Sequence, residues 1–292
     1  MPDEPQFDPA SRRHFLAAGA ALSISAGFAR AVAPIAASAV ATDSVGLEAG
    51  PVGIPVAGAT LPAYQARPAG AKGPLPVVIV VQEIFGVHEH IQDVCRRLAK
   101  QGYLAIAPEL YFRQGDPRQY TDTAELMSKV VSRVPDQQVL TDLDMTCAWA
   151  VAHGGDGKRL AMTGFCWGGR IVWLYAAHNP YLKAGAAWYG RLVGQPSPNN
   201  PKQPIDVVTQ LKAPVIGFYG GKDQGITQEH VEAMRAALKA AGRSDEINVY
   251  PEAGHAFNAD YRPSYNAAAA NDAWGKMLAF FKQKGVAPAE AK

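Results

Sequence analysis

The sequence predicts an α/β fold with a mostly parallel central sheet and helices on both of its faces. From about residue 50, short apolar runs alternate with segments of helical period, which is the order expected of strand–helix–strand units. The run at residues 76–81 is continuously apolar and rich in β-branched side chains, as in strands buried on both faces. Hydrophobic residues make up 48% of the 292-residue chain, which excludes a disordered protein and allows a large core.

The first half of this domain is predicted from its local periodicity. Apolar side chains recur at helical spacing in residues 88–101, and Gly102 follows as a C-cap. A second buried strand is expected at residues 103–107. Further helices are expected at residues 119–133 and 136–153. An antiparallel edge of the sheet is expected to precede all of these, at residues 52–54 and 63–67.

The second half continues the alternation. Strands are predicted at residues 160–164, 184–188, 214–219 and 246–250, and helices at residues 168–178, 227–241 and 265–284. Residues 194–204, the proline-rich loop, are interpreted as a surface loop rather than a domain boundary. The prediction is one domain at residues 51–286, preceded by a linker at residues 42–50 and followed by a tail at residues 287–292.

Charge and cysteine content exclude several classes of function. The net charge is +2 and no run of like charges reaches five residues, so no nucleic-acid partner is expected. Three cysteines without a CxxC pattern do not form a disulfide framework or a cysteine metal site. We expect no metal and no organic cofactor.

The N-terminal segment is interpreted as an export signal. Arg12 and Arg13 follow a polar leader and precede an uncharged, Ala- and Gly-rich run at residues 16–29. That run is shorter than the about 20 residues that span a bilayer, and the combination resembles a bacterial twin-arginine signal. Residues 1–41 are the predicted signal peptide, which implies the twin-arginine translocase as a partner and a periplasmic or secreted location. The alternative is a retained amphipathic tail.

The segment Gly164-Phe165-Cys166-Trp167-Gly168-Gly169 carries the main chemical signal. It lies between a predicted strand and a predicted helix, and it matches the Gly-x-nucleophile-x-Gly elbow of α/β-hydrolases, with Cys166 in the place of serine. A nucleophile at a helix N-terminus is stabilised as the thiolate. The alternative is a glycine-rich turn with a buried structural cysteine. Cys95 and Cys147 fall on apolar helix faces and are interpreted as core residues.

Asp223 and His255 follow the elbow in the order acid, then histidine, that elbow enzymes use. Each comes just after a predicted strand, where open α/β sheets place their active sites. His255 is therefore predicted to be the base, and Asp223 to hold its tautomer and stabilise its charge.

With these motifs the chain resembles the dienelactone hydrolase family, the carboxymethylenebutenolidases, over about residues 50–285. Gly-Lys-Asp at residues 221–223 and Gly-His-Ala-Phe at residues 254–257 match the family's triad motifs, as does the elbow. Gln-Glu-Ile-Phe-Gly at residues 82–86 is similar to the family's loop whose glutamate pairs with the thiol, which implies that role for Glu83. Pro-Glu-Leu-Tyr-Phe-Arg at residues 108–113 is similar to the segment whose arginine holds the substrate carboxylate, which implies that role for Arg113.

The chain departs from the family at one position. The second carboxylate-binding arginine of the family falls on Ala259. Arg262, three positions later, is a candidate replacement, whereas the neighbouring Asp260 is expected to oppose an anionic substrate.

These residues predict a hydrolase that cleaves carboxylic esters, most simply an enol-lactone (dienelactone), through a Cys166-His255-Asp223 triad and a thioester intermediate. The backbone N–H groups of Ile84 and Trp167 are the expected oxyanion hole. Two alternatives stay open from the sequence. One is a general carboxylesterase or thioesterase that uses the same triad. The other is a non-catalytic ligand-binding protein with Cys166 as a thiol sensor.

Overall fold

The computed structural model describes residues 41–289. The predicted signal peptide, apart from Ala41, lies outside the described residues. Within this range there are eight strands: β1 Leu47–Val56, β2 Ala59–Pro68, β3 Leu75–Val81, β4 Leu104–Pro108, β5 Gly155–Phe165, β6 Ala184–Trp188, β7 Val215–Gly220 and β8 Glu246–Tyr250. The same residues contain six α-helices: α1 Glu89–Lys100, α2 Thr123–Lys129, α3 Asp136–Ala152, α4 Trp167–His178, α5 Gln228–Ala240 and α6 Ala267–Gln283.

All eight strands belong to one sheet in the order β1-β2-β4-β3-β5-β6-β7-β8. The strands from β4 to β8 in this order pair in parallel, whereas β1–β2 and β2–β4 are antiparallel. β3, β4, β6 and β7 are buried along their whole length, because helices cover both faces of a parallel sheet. The predicted α/β fold with an antiparallel edge is therefore confirmed.

Helix α1 shows how the local sequence determines the ends of an element. His88 caps its N-terminus by accepting a hydrogen bond from the His90 backbone N–H, and Arg97 and Lys100 lie in the last turn, where cations suit the helix dipole. Gly102 follows with a φ of 98°, a conformation that glycine adopts without strain.

Several predicted elements differ in length from those in the structure, and two of them show why. The helix expected at residues 119–133 is only α2, because the Asp122 side chain caps it at its start and residues 131–133 form a separate 3₁₀ turn. β1 begins at Leu47, inside the predicted linker, and runs further than expected. Its Pro51 and Pro55 weaken the strand signal, yet an edge strand tolerates proline. None of the helices in the described part of the chain is long and apolar enough to span a membrane.

The parallel strands direct their carboxyl ends to one edge of the sheet. Glu83 follows β3, Cys166 follows β5, Tyr189 follows β6, Asp223 follows β7 and His255 follows β8. Side chains far apart in sequence are therefore gathered where open α/β sheets bind their ligands.

Candidate active site

Cys166 occupies a strained turn between β5 and α4. Its φ of 55° and ψ of −113° lie in a region that costs a non-glycine residue about 1–3 kcal/mol. Close packing surrounds the turn. A Cβ on Gly164 would lie 2.4 Å from the Gly168 carbonyl oxygen, and one on Gly168 would lie 2.5 Å from the Val81 carbonyl oxygen. The glycines of the elbow are thus required by sterics, and the turn presents Cys166 to a cavity at the end of the sheet.

His255 and Asp223 form a buried hydrogen-bonded pair. His255 Nδ1 lies 2.7 Å from Asp223 Oδ2, and the two residues are 4% and 6% exposed. The other carboxylate oxygen, Oδ1, accepts the backbone N–H groups of Gly225 at 2.9 Å and Ile226 at 3.0 Å, so Asp223 is fixed on both sides.

The charge state of His255 is set by its neighbours. Burial lowers the pKa of His255, but the Asp223 carboxylate and the Cys166 sulfur outweigh burial and raise it to about 10. The fold thereby brings together the three residues predicted as a triad, with the imidazole between the carboxylate and the sulfur.

The two other cysteines lie in the core, as predicted. Cys95 is fully buried and Cys147 is 8% exposed. Burial raises the pKa of both thiols, that of Cys147 to about 12, and Cys147 Sγ lies 3.2 Å from Tyr175 Oη. Neither lines the cavity that contains Cys166, so they are poor nucleophiles.

Glu83 is buried in a polar cluster beside the elbow. Its carboxylate accepts the Tyr261 hydroxyl at 2.8 Å and lies 3.3 Å from His88 Nε2. Burial raises the pKa of Glu83, but the His88 hydrogen bond and the Arg262 charge outweigh it and hold the pKa well below its usual range. The expected pairing of Glu83 with Cys166 is therefore not formed among the described residues, because Tyr261 and His88 hold the carboxylate.

Arg262 lies in the same cluster. It is 5% exposed, and its guanidinium carbon is 4.9 Å from the Phe85 ring centroid and 5.0 Å from that of Tyr261. Burial lowers the pKa of Arg262, but the charge of Glu83 and the Tyr261 hydroxyl outweigh burial and raise it. Arg262 thus compensates the charge of Glu83.

Asp260 does not oppose an anion as expected. It pairs with Arg97 and lies 3.3 Å from His90 Nδ1, so its charge is compensated on the far side of the cluster.

Arg113 is not placed at the site, in contrast to the role that the resemblance implies. Its Nη1 lies 2.6 Å from Asp142 Oδ2, and its Nη2 lies 3.0 Å from Asp142 Oδ1. The guanidinium also stacks on Phe112 at 4.2 Å. Arg113 does not line the cavity with Cys166, because the buried carboxylate of Asp142 occupies both of its terminal nitrogens.

The cavity at Cys166 has a volume of about 270 Å³, enough for a small ligand. Ile84 and Trp167, the predicted oxyanion-hole residues, line it. Four side chains of the proline-rich loop, which belong to no recognisable motif, also line it: Gln195, Ser197, Asn200 and Gln203. Among the described residues that line the cavity, none is acidic. The only sequence signal for the loop is its proline content, which does not point to a site.

A buried ion pair holds the proline-rich loop over the cavity. Arg170 lies one helical turn after Cys166 and binds both carboxylate oxygens of Asp136, at 2.7 and 2.8 Å. The same guanidinium donates to Gln203 Oε1 at 2.9 Å, and Asn200 Nδ2 donates to Asp136 at 2.9 Å. The helix that begins at the elbow therefore also positions the cover of the cavity.

Comparisons with known proteins identify the family to which the chain is similar. The sequence profile of the Dienelactone hydrolase family matches residues 61–285. A protein of Escherichia coli (strain K12), provisionally named a carboxymethylenebutenolidase, is 62% identical over 89% of this chain and 96% of its own length. A protein of Methylorubrum extorquens with the same provisional name is 58% identical over 91% of this chain and 92% of its own length. A crystal structure from Klebsiella pneumoniae, provisionally assigned as a dienelactone hydrolase, has a TM-score of 0.80 and 64% identity, and the match covers 81% of this chain and 99% of that one.

Proposed function

The chain belongs to the dienelactone hydrolase family and is an enzyme that hydrolyses esters or lactones; on that premise we propose that Cys166, His255 and Asp223 are its catalytic triad. The observation that supports this most is the His255–Asp223 hydrogen bond of 2.7 Å, with Cys166 as the second group that raises the pKa of His255. Because the chain belongs to a hydrolase family, the alternative that it is a non-catalytic thiol sensor is not pursued. We further propose an enol-lactone (dienelactone) as the substrate.

Acylation begins with attack of the Cys166 thiolate on the ester or lactone carbonyl. The negative charge that develops on the carbonyl oxygen is stabilised by the backbone N–H groups of Ile84 and Trp167, each worth roughly 3–4 kcal/mol in sites of this kind. Trp167 is the first residue of α4, so the helix dipole adds to its effect. Collapse of the tetrahedral intermediate forms the thioester and expels an enolate, which takes a proton from the His255 imidazolium.

Deacylation uses the same histidine in the opposite sense. In the thioester the sulfur carries no charge, so one of the groups that raise the pKa of His255 is lost. The neutral imidazole then removes a proton from water, which attacks the thioester carbonyl. Asp223 holds the imidazole in one orientation throughout both steps.

The triad is tested by replacing each cysteine in turn. Cys166→Ala is expected to lower kcat/KM by at least about 10³-fold, because the covalent step is lost, with an unchanged circular-dichroism spectrum. Cys95→Ala and Cys147→Ala are matched controls that should retain kcat/KM and lose only stability. Full turnover by Cys166→Ala would exclude the proposed nucleophile.

A substrate panel separates lactonase activity from general esterase or thioesterase activity. We expect the mature enzyme to hydrolyse cis- or trans-dienelactone with a higher kcat/KM than simple aryl esters or acyl thioesters. The reverse order would assign the triad to a general esterase or thioesterase.

Export through the twin-arginine route is proposed from the sequence of residues 1–41. The support is the Arg12-Arg13 pair before the short apolar run and the Ala39-Val40-Ala41 cleavage pattern. Replacing both arginines by lysine should leave the precursor in the cytoplasm, whereas the parent should be recovered from the periplasm with Thr42 at its N-terminus. Equal periplasmic recovery of the two proteins would contradict the proposal.

A further inference from the structure

Arg191 is an arginine of the cavity wall whose charge is not compensated by any of the described residues. It follows β6 by three residues, is exposed, and lines the same cavity as Cys166. Within residues 41–289 it makes no hydrogen bond and no ion pair. The other cation in the wall, Arg170, donates hydrogen bonds to both carboxylate oxygens of Asp136. Only one of the two positive charges is therefore compensated by the fold.

The surroundings of Arg191 favour an anion. No acidic side chain lines the cavity in the described part of the chain. Although the residue as a whole is exposed, the cavity partly removes its guanidinium from water. This desolvation and the like charge of Arg170 lower the pKa of Arg191, while the Cys166 sulfur acts in the opposite direction. The sulfur and the guanidinium line the same cavity. An arginine stays protonated at neutral pH, so this space holds a positive charge that a ligand can neutralise.

The local backbone leaves room for this side chain. A Cβ on Gly194 would lie 3.2 Å from Arg191 Cδ and 3.6 Å from Gln203 Cδ, so the arginine stem passes close over a residue that has no side chain. The stem is thereby placed against the start of the proline-rich loop, whose Gln195 and Ser197 also line the cavity. These two side chains offer further hydrogen-bond donors to a bound oxyanion.

We infer that Arg191 binds a carboxylate of the substrate in the Cys166 cavity and thereby selects esters and lactones that carry a second, anionic group. A guanidinium suits this task because its planar fork donates to both carboxylate oxygens. The two arginines considered from the sequence are engaged elsewhere: Arg113 with Asp142, and Arg262 beside Glu83. The inference rests on the proposed nucleophile Cys166, since it concerns what is held next to that sulfur.

The first test compares two alkylating reagents that differ by one charge. Iodoacetate and iodoacetamide both form a thioether at a cysteine sulfur and release iodide, but only iodoacetate carries a carboxylate. The measured quantity is the rate constant of Cys166 with iodoacetate divided by its rate constant with iodoacetamide. Arg191→Gln should lower this ratio by roughly 10- to 100-fold, because a charge-assisted contact is lost. The site of modification is read by peptide mass spectrometry.

Lys183→Gln is the matched control. Lys183 is also exposed and immediately precedes β6, so it lies at the opposite end of the strand that Arg191 follows. Its loss removes the same charge from the molecule without touching the cavity. The reagent ratio should stay within about twofold of the parent value, since exposed charges more than about 10 Å apart are largely screened at 0.1 M salt.

The second test uses turnover of 4-acetoxybenzoate and its methyl ester, which differ by the same charge. Arg191→Gln should reduce kcat/KM roughly 10- to 100-fold for the anionic ester and less than twofold for the neutral one, which also shows that the variant is folded. An unchanged ratio in both tests, or equal losses on both probes, would overturn the inference. The alkylation test requires no hydrolysis, so it tests the inference even if the proposed triad fails. Failure of the proposed function would appear instead as full hydrolysis by Cys166→Ala.

Discussion

At the scale of single residues, the chemistry depends on how His255 is charged. Its pKa of about 10 results from Asp223 and Cys166, which outweigh the effect of burial. The imidazole is therefore protonated at neutral pH, and in the proposed mechanism it faces the Cys166 sulfur. A positive charge beside a cysteine favours the reactive thiolate form of its side chain.

The raised pKa makes stability depend on pH in a defined direction. The folded pKa of about 10 exceeds the ordinary histidine pKa of 6.5, so the contribution of protonated His255 is fully present below pH 6.5 and is lost as the pH rises through 10. In urea denaturation at pH 6, 8 and 10, the parent should lose free energy of unfolding more steeply than His255→Gln. Parallel pH profiles for the two proteins would show that His255 titrates normally.

Residue roles could be predicted from sequence where a local motif carries them. Cys166, Asp223 and His255 each follow a strand and lie in a short recognisable motif, so strand ends alone suggested that they meet. The pairing of Arg113 with Asp142 could not be predicted, because the two residues are 29 positions apart and nothing local indicates the contact. Arg191 lies in no motif, and only the folded cavity shows that no described residue pairs with it.

At the scale of elements, the elbow is held by close packing between β3, β5 and α4. Gly168 shows this directly, because a Cβ there would meet two backbone oxygens, those of Val81 at 2.5 Å and Gln82 at 2.6 Å. Backbone cannot move aside as a flexible side chain can, so the strand and the helix would have to separate. The position of Cys166 would shift with them.

Alanine substitution at two glycines measures this packing. Gly168→Ala should lower the free energy of unfolding by about 1–3 kcal/mol or more and reduce kcat/KM. Gly275→Ala is the control, because Gly275 lies exposed in α6 with nothing within 4 Å of a Cβ. It should raise stability by up to about 1 kcal/mol. Equal effects at the two positions in thermal or urea unfolding would refute a steric requirement at the elbow.

The cover of the cavity is an element-scale feature that the sequence did not reveal. Proline content predicted that residues 194–204 form a surface loop, but the contacts that fold this loop onto the site involve Asp136 and Arg170, from two helices. Which face of a loop contacts the protein is decided by such distant partners. A single sequence does not indicate which of its distant residues will be in contact.

Removing the carboxylate from this buried pair should be costly. Asp136→Ala leaves Arg170 buried without its counter-charge, and we expect a loss of about 3–5 kcal/mol in unfolding free energy, together with weaker substrate binding as the proline-rich loop loosens. Glu232→Ala, which breaks an exposed pair with Arg235 on α5, should change stability by no more than about 1 kcal/mol. If Asp136→Ala were as mild as this control, the loop would not depend on the pair.

At the scale of the whole molecule, the parallel sheet explains why the position of the candidate site can be predicted from the sequence although its side-chain contacts cannot. Alternation of apolar runs and helices predicted the parallel strands, and parallel strands bring the residues that follow them to one edge. The antiparallel β1–β2 edge is also predicted from the sequence, but its full length and its register are known only from the structure. The fold therefore determines where the candidate site lies, while side-chain partners far apart in sequence determine which groups line its cavity.

The central claim, that hydrolysis proceeds through a thioester on Cys166, is tested most directly by trapping that intermediate. The parent enzyme is mixed with 4-nitrophenyl acetate, quenched in acid during the first turnover and measured by intact-protein and peptide mass spectrometry. We predict one acetyl group per chain on the peptide that contains Cys166. His255→Gln should accumulate more of this acyl-enzyme if its acylation stays faster than its hydrolysis, which has lost the base. Release of 4-nitrophenol with no acyl-enzyme at any quench time, or an acetyl group on a residue other than Cys166, would contradict the account.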